Sequence, residues 1–250
     1  MCSFPELKDR KFLVADTGSA VGQELVEQLT GLGAYVVVIG DPNGSPLQSI
    51  SAFKESKCYI SFDIYDNSET ESNFHLINEK FGLFNGFVYC AGIGGVRPLS
   101  MTKYSFMHEM MNANVYSFVE MARCLAKRNC FSDGGSMVAI SSVSSIKGLK
   151  SKIAYSASKS ALDATVRCIA AELSPRRIRV NSIMKGAVSS DLNKDYIQSN
   201  IKLGEEDDLK RQLLGIIEPS EIADCIVFLL SDSSKKITGT SILLDGGYVL

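Results

Sequence analysis

Short apolar runs alternate along this chain with longer stretches whose apolar residues recur at helical spacing. The runs fall at residues 11–15, 35–39, 59–62, 86–90, 136–141, 179–184 and 241–244, and each is only four to six residues long. Helical spacing occupies residues 21–31, 68–81, 104–128, 154–173 and 219–230. Strand-length runs alternating with helix-length segments predict βαβ units and a parallel sheet. The count and order give one α/β domain spanning residues 1–250, a doubly wound seven-stranded parallel sheet with helices on both faces. No internal repeat or low-complexity linker divides it. Residues 189–215 interrupt the alternation with a polar insertion (Asp191, Asn193, Lys194, Asp195, Glu205, Glu206, Asp207, Asp208). An insertion of this length is expected either to serve function or to form a solvated helix pair.

Composition narrows the functions available. Of 250 residues, 45% are hydrophobic and 22% charged, which suits one soluble globular domain. A net charge of −2 offers no general attraction to nucleic acid or to an anionic membrane. No apolar run approaches the roughly 20 residues needed to span a bilayer. The N-terminus, Met1-Cys2-Ser3-Phe4-Pro5-Glu6, lacks the basic-then-apolar form of a signal peptide. Seven scattered cysteines without a CxxC pair read as small buried hydrophobes in a reducing cytoplasm. The two histidines, His75 and His108, have no ligand-spaced neighbours, so no metal is expected.

Chemistry concentrates in residues 136–159. The apolar run Met137-Val138-Ala139-Ile140 ends in Ser141-Ser142, and the segment Tyr155-Ser156-Ala157-Ser158-Lys159 opens a helical stretch. Tyrosine and lysine four apart on a helix project from one face. An ammonium beside a phenol favours the phenolate and brings it toward proton exchange at neutral pH. Ser142 falls at the carboxyl end of a predicted strand, where open parallel sheets bind ligands. Together these residues point to acid–base chemistry on a carbonyl or alcohol. By themselves a Tyr and a Lys four apart would equally suit a surface pair on an amphipathic helix.

Ile140-Ser141-Ser142-Val143 followed, thirteen residues after Ser142, by Tyr155 and then Lys159 resembles the active-site segment of the short-chain dehydrogenase/reductase family. Other segments extend the resemblance over about residues 7–248. The stretch 179–188, Arg179-Val180-Asn181 through Lys185-Gly186-Ala187-Val188, is similar to the family's R-V-N-x-I-x-P-G-x-V, with Lys185 in the proline's place. Tyr89-Cys90-Ala91-Gly92 stands where the family has N-N-A-G, and Thr238-Gly239 with Asp245-Gly246-Gly247 matches its ending. The likeness is to 3-oxoacyl-thioester-reductase-like members, with an altered glycine-rich turn.

A Rossmann-type site needs such a turn after the first strand, so that backbone and a helix N-terminus face a pyrophosphate. Here it reads Ala15-Asp16-Thr17-Gly18-Ser19-Ala20-Val21-Gly22. Of two registers on the family's T-G-x-x-x-G-x-G, we favour the one that puts Gly22 on the third glycine. Ala15, Asp16 and Ala20 then replace the Thr and two glycines. Asp16 sets a side-chain carboxylate in a turn meant for an anion, and Ala20 narrows the approach, so the anion site is expected to be weakened. Asp41, nineteen residues after Gly22, stands near the distance at which an acid meets the adenosine ribose, with no Arg or Lys beside it. That favours NAD over NADP.

The resemblance implies roles residue by residue. Tyr155 exchanges the proton with the substrate oxygen, Lys159 supports its phenolate and the nicotinamide ribose, Ser142 hydrogen-bonds the substrate, and Asn114 supports a proton relay at a helix irregularity. Asp16, Gly18, Ser19, Val21, Gly22, Asp41, Asp63, Ile64, Cys90, Ala91, Gly92, Gly186, Val188 and Ser190, with Tyr155 and Lys159, would hold the dinucleotide. Residues 189–215 would form a lid over the substrate. The implied activity is hydride transfer between NAD(P)(H) and a small-molecule secondary alcohol or ketone, such as a 3-oxoacyl thioester or a sugar. The altered turn leaves one alternative, a non-catalytic binding or scaffolding subunit; a further one is an isomerase or dehydratase that uses bound NAD without net turnover. A homodimer or homotetramer is expected through the helices of 104–128 and 154–173.

Overall fold

The computed structural model describes residues 4–16, 18–40, 57–191 and 211–250. Seven strands form one sheet: β1 (Lys11–Ala15), β2 (Tyr35–Gly40), β3 (Lys57–Ser61), β4 (Phe84–Tyr89), β5 (Phe131–Ser142), β6 (Arg179–Lys185) and β7 (Ser241–Leu244). All neighbours run parallel, in the order β3-β2-β1-β4-β5-β6-β7. The doubly wound seven-stranded sheet is thus the one the apolar runs predict.

The sheet is covered on both sides, and side-chain alternation along a strand shows it. On β1, Leu13 and Ala15 enter one core, which packs α2 (Thr70–Phe81), α4 (Ser117–Leu125) and α5 (Ile153–Leu173). Phe12 and Val14 enter the opposite core, under α1 (Ala20–Gly31) and α6 (Pro219–Leu230). A strand buried on both faces has no polar side, which explains the uniformly apolar runs.

Two elements depart from the spacing. The helix expected over 104–128 is α3 (Tyr104–Met111), a π-helical turn (Asn112–Tyr116) and α4 in succession. Asparagine is a mediocre helix former, and Asn112 and Asn114 both sit in the wide turn. Strand β5 starts at Phe131, five residues before its apolar run, and its register against β4 shifts between Phe84 and Gly86. The polar stretch Ser132-Asp133-Gly134-Gly135 conceals that beginning in the sequence.

Winding reverses between β1 and β4, so the chain leaves these strands in opposite directions and opens a crevice at their carboxyl ends. Asp16 follows β1 and Cys90 follows β4, and the N–H groups of Cys90 and Ala91 both donate to the Ala15 carbonyl. Most of the described sequence-derived site residues fall at or just after the carboxyl ends of β1, β3, β4, β5 and β6. Asp41 and residues 192–210 of the expected lid lie outside the described residues. Among the described residues no helix is long and apolar enough to cross a membrane, and no group of three or more His, Cys, Asp or Glu is placed to hold a metal ion.

Candidate active site

Strand β5 and helix α5 carry the reactive side chains. Ser142 is the last residue of β5, buried, with its Oγ accepting from the Ser144 N–H and lying 3.2 Å from the Ser144 hydroxyl. A short 3-10 turn (Val143–Ser145) follows and is tied to α5 by the Ser160 hydroxyl, which donates to the Ser145 carbonyl at 2.6 Å. Helix α5 contains neither Gly nor Pro. It carries Tyr155 in its first turn and Lys159 one turn on, and the lysine side chain reaches back to β5.

The Lys159 ammonium donates to the Ile140 carbonyl at 2.8 Å, two residues before Ser142, and lies 5.8 Å from the centre of the Tyr155 ring. Lys159 is thus bonded to the strand that ends in Ser142, with the Tyr155 ring beside its ammonium. Lys159 is only 4% exposed. Burial chiefly, and then the nearby Lys185 ammonium, lower its pKa to about 7, while Asp163 and Cys90 oppose that fall. Lys185 is the register partner of Ser142, so the two side chains emerge from the same face of the sheet.

Asn114 lies in the π turn and is fully buried. Its Oδ1 accepts from the Ile93 N–H at 2.9 Å, and its Nδ2 donates to the Ile93 carbonyl at 3.0 Å and to the Ser158 hydroxyl at 2.9 Å. Ser158 in turn donates to the Tyr155 carbonyl at 2.8 Å. The asparagine side chain therefore clamps the chain after β4 to the first turn of α5. Gly92 is squeezed into this junction at φ 144°, where an added Cβ would lie 2.6 Å from Asn114 Oδ1 and 3.3 Å from Lys159 Nζ.

The glycine-rich turn begins α1, whose N-cap is Ser19, its Oγ accepting from the Gly22 N–H. Asp16, 1% exposed, folds its carboxylate back into the turn. Oδ2 accepts from the N–H groups of Gly18 at 3.0 Å and Ser19 at 2.9 Å, and Oδ1 accepts from the Ser19 hydroxyl at 2.7 Å. Gly22 faces this carboxyl group so closely that a Cβ there would lie 2.5 Å from its carbon. Val21 buries its side chain in the core, so only its backbone faces the crevice. Cys90 is partly buried; burial first, and then the Asp16 carboxylate, push its thiol well above the usual range.

At the far end, Val188 forms a single parallel bridge with Ile217, using the Ala187 carbonyl and the Ser189 N–H. In a parallel bridge of this pattern the N–H and C=O of Val188 itself point to the opposite edge. The Gln212 amide, 4% exposed, clamps the backbone beside it. It accepts from the Ala187 N–H and donates to the carbonyls of Ala187 and Gly215. A Cβ on Gly186 would lie 2.5 Å from the Gln212 carbonyl oxygen. Ser190 follows in a short exposed turn. Beyond β3, Asp63 is exposed and its carboxylate caps the Tyr65 N–H at 2.8 Å, whereas Ile64 is wholly buried in the core.

These groups suit a nicotinamide dinucleotide: the N–H and C=O of Val188 turned away from its bridge to Ile217, a lysine beside a tyrosine ring at the end of β5, and a helix N-terminus at the switch point. Sequence reasoning missed Gln212, Ser158 and the Ile140 carbonyl. A glutamine beside Arg211 and a serine among serines carry no pattern, and a main-chain carbonyl carries none either.

The chain is similar to known proteins along nearly its whole length. A family model described as "Enoyl-(Acyl carrier protein) reductase" matches residues 15–249. The chain is 28% identical to L-xylulose reductase of Caenorhabditis elegans over 97% of each chain. It is 34% identical to carbonyl reductase family member 4 of Danio rerio over 78% of this chain and 79% of that one. The crystal structure of a short chain dehydrogenase family protein from Francisella tularensis covers 96% of this chain and 99% of its own, with a TM-score of 0.82 at 27% identity. With Ser142 ending β5 and Lys159 bonded to that strand beside the Tyr155 ring, and with the family model spanning nearly the whole chain, the chain belongs to the short-chain dehydrogenase/reductase family.

Proposed function

We propose that this chain transfers a hydride between a nicotinamide dinucleotide, NAD in preference to NADP, and a small secondary alcohol or its ketone. The observation that carries the reading is the Lys159 ammonium fixed on the Ile140 carbonyl beside the Tyr155 ring, on the strand that ends in Ser142. When bound, the dinucleotide supplies or accepts the hydride. The chain itself binds, orients and moves the proton.

In this reading Tyr155 gives its phenolic proton to the carbonyl oxygen during reduction and takes one from the alcohol during oxidation. Lys159 stabilises the phenolate electrostatically, and its pKa of about 7 lets it be charged or neutral at working pH. Ser142 hydrogen-bonds the substrate oxygen and orients it toward Tyr155. Asn114 acts through position, since its side-chain bonds to Ile93 and Ser158 hold the turn beneath Tyr155. Val188, through its N–H and C=O, suits a carboxamide, and Asp41 favours a free ribose 2′-hydroxyl over a phosphate. A sugar or another small polar ketone fits the likeness to L-xylulose reductase and carbonyl reductase.

The free cysteines among the described residues suit a reducing compartment such as the cytoplasm. Exposed Tyr104, Tyr116 and Val119 on α3, the π turn and α4 suit a homodimer or homotetramer contact. A melting titration with NAD⁺, NADH, NADP⁺ and NADPH tests the reading. Ligand at a hundredfold excess over Kd stabilises by about 2.7 kcal/mol, and the NAD pair should give the larger shift. A ketone panel should then consume NADH. No shift with any of the four overturns the proposal.

A further inference from the structure

A glycine-rich turn holds a phosphate with backbone N–H groups that nothing else uses. In this chain the turn already contains an anion of its own. The Asp16 carboxylate takes the N–H groups of Gly18 and Ser19 and the hydroxyl proton of Ser19. The Ser19 Oγ then takes the N–H of Gly22 as the helix cap. Of the N–H groups at the start of α1, those of Ala20 and Val21, the first two residues of the helix, remain to face a ligand.

The arrangement is built rather than strained. Asp16 is not among the residues with positive φ, so a side chain at this position needs no unusual backbone. Space for the carboxylate comes from Gly22, where any Cβ would collide with it. The carboxylate is 1% exposed, so water screens its charge poorly. A pyrophosphate arriving at the start of α1 therefore meets half-used donors and a fixed negative charge beneath them.

We propose that Asp16 is a resident anion of the phosphate turn, competing with the cofactor pyrophosphate for the turn's N–H groups and setting the dinucleotide affinity of this chain. The inference rests on the dinucleotide reading above. It assigns Asp16 the opposite effect from that of a binding residue: its removal tightens the complex.

The test is direct binding of NADH, followed by its fluorescence, to the wild-type chain, Asp16→Asn and Asp16→Gly. Thermal melts run beside it to establish that each variant is folded. Asp16→Asn is the deciding variant. It keeps an oxygen that can cap Gly18 and Ser19 and removes the charge, so the turn retains its shape. The expected result is a Kd for NADH at least tenfold lower in Asp16→Asn, and at least as low in Asp16→Gly where that variant folds. A wild-type chain that binds with an unchanged or higher Kd in Asp16→Asn overturns the role of Asp16 and leaves the dinucleotide reading standing. Absence of binding by all folded forms overturns the dinucleotide reading, and this inference with it.

Discussion

Replacing Lys159 by methionine should make the cofactor-free protein more stable, and by an amount that depends on pH in a defined way. The lysine is 4% exposed, and its ammonium donates to the Ile140 carbonyl at 2.8 Å. Its pKa falls from 10.5 to about 7 on folding, so the unfolded chain holds the proton more tightly than the folded one. The lysine therefore costs stability wherever the unfolded chain is charged. That cost is complete below pH 7 and vanishes above pH 10.5. It amounts to about 5 kcal/mol at pH 6, about 2 kcal/mol at pH 9 and about 1 kcal/mol at pH 10. Methionine has similar length and no charge, so the variant escapes this cost. It also leaves the Ile140 carbonyl unpaired, a loss of about 1–3 kcal/mol that is the same at every pH. The signature is the slope. From pH 6 to pH 9 the wild type should gain about 3 kcal/mol on the variant. At about 2–4 °C per kcal/mol for a chain of this size, the two melting temperatures should converge by about 6–12 °C. Melts of both proteins without cofactor, from pH 6 to pH 9, measure it. Parallel curves would refute the reasoning, because the ammonium would then cost nothing on burial.

The neighbouring charge gives a related expectation. Lys185→Met removes the second cause of the lowered Lys159 pKa, so Lys159 should keep its proton to higher pH. The rise of wild-type stability with pH should then begin at higher pH in the variant; an unmoved profile would show that the Lys185 charge does not reach Lys159. Gly92→Ala should destabilise by about 2 kcal/mol, since φ 144° is strained for any side chain and a Cβ would meet Asn114 Oδ1 at 2.6 Å. Chemical denaturation reads that loss, and an unchanged midpoint would contradict the crowding between β4 and the π turn.

How much of this could be read from the chain alone varies with the physical cause. Strands buried on both faces announce themselves as apolar runs, so each of the seven strands shows in the sequence, β1 and β7 at the observed bounds. The start of β5 was missed because Gly134 and Gly135 interrupt its apolar run while the backbone continues. Periodicity could not reveal the π turn, since one widened turn hardly alters a helical pattern. Its trace was two asparagines where helix formers are expected. Tyr155 and Lys159 are legible as a pair because a spacing of four puts two side chains on one helix face, and Ser142 because an apolar run marks the end of its strand; the link between the two comes from the family resemblance. The orientation of Asp16 was not legible. A carboxylate expected to face a ligand instead folds onto the N–H groups of its own turn. Only the collision that a Cβ on Gly22 would cause shows the space made for it. Gln212 could not be found at all, because a buried amide between backbone groups looks in sequence like any polar loop residue.

The central claim is that Tyr155, beside Lys159 at the end of β5, moves the proton in a hydride-transfer reaction. Its most direct test compares wild type and Tyr155→Phe for ketone-dependent NADH oxidation and for NADH binding, under one set of conditions. Loss of the phenolic oxygen should lower turnover by about 10²–10⁴-fold while leaving the Kd for NADH within a few-fold of wild type. Full turnover in Tyr155→Phe would contradict the account.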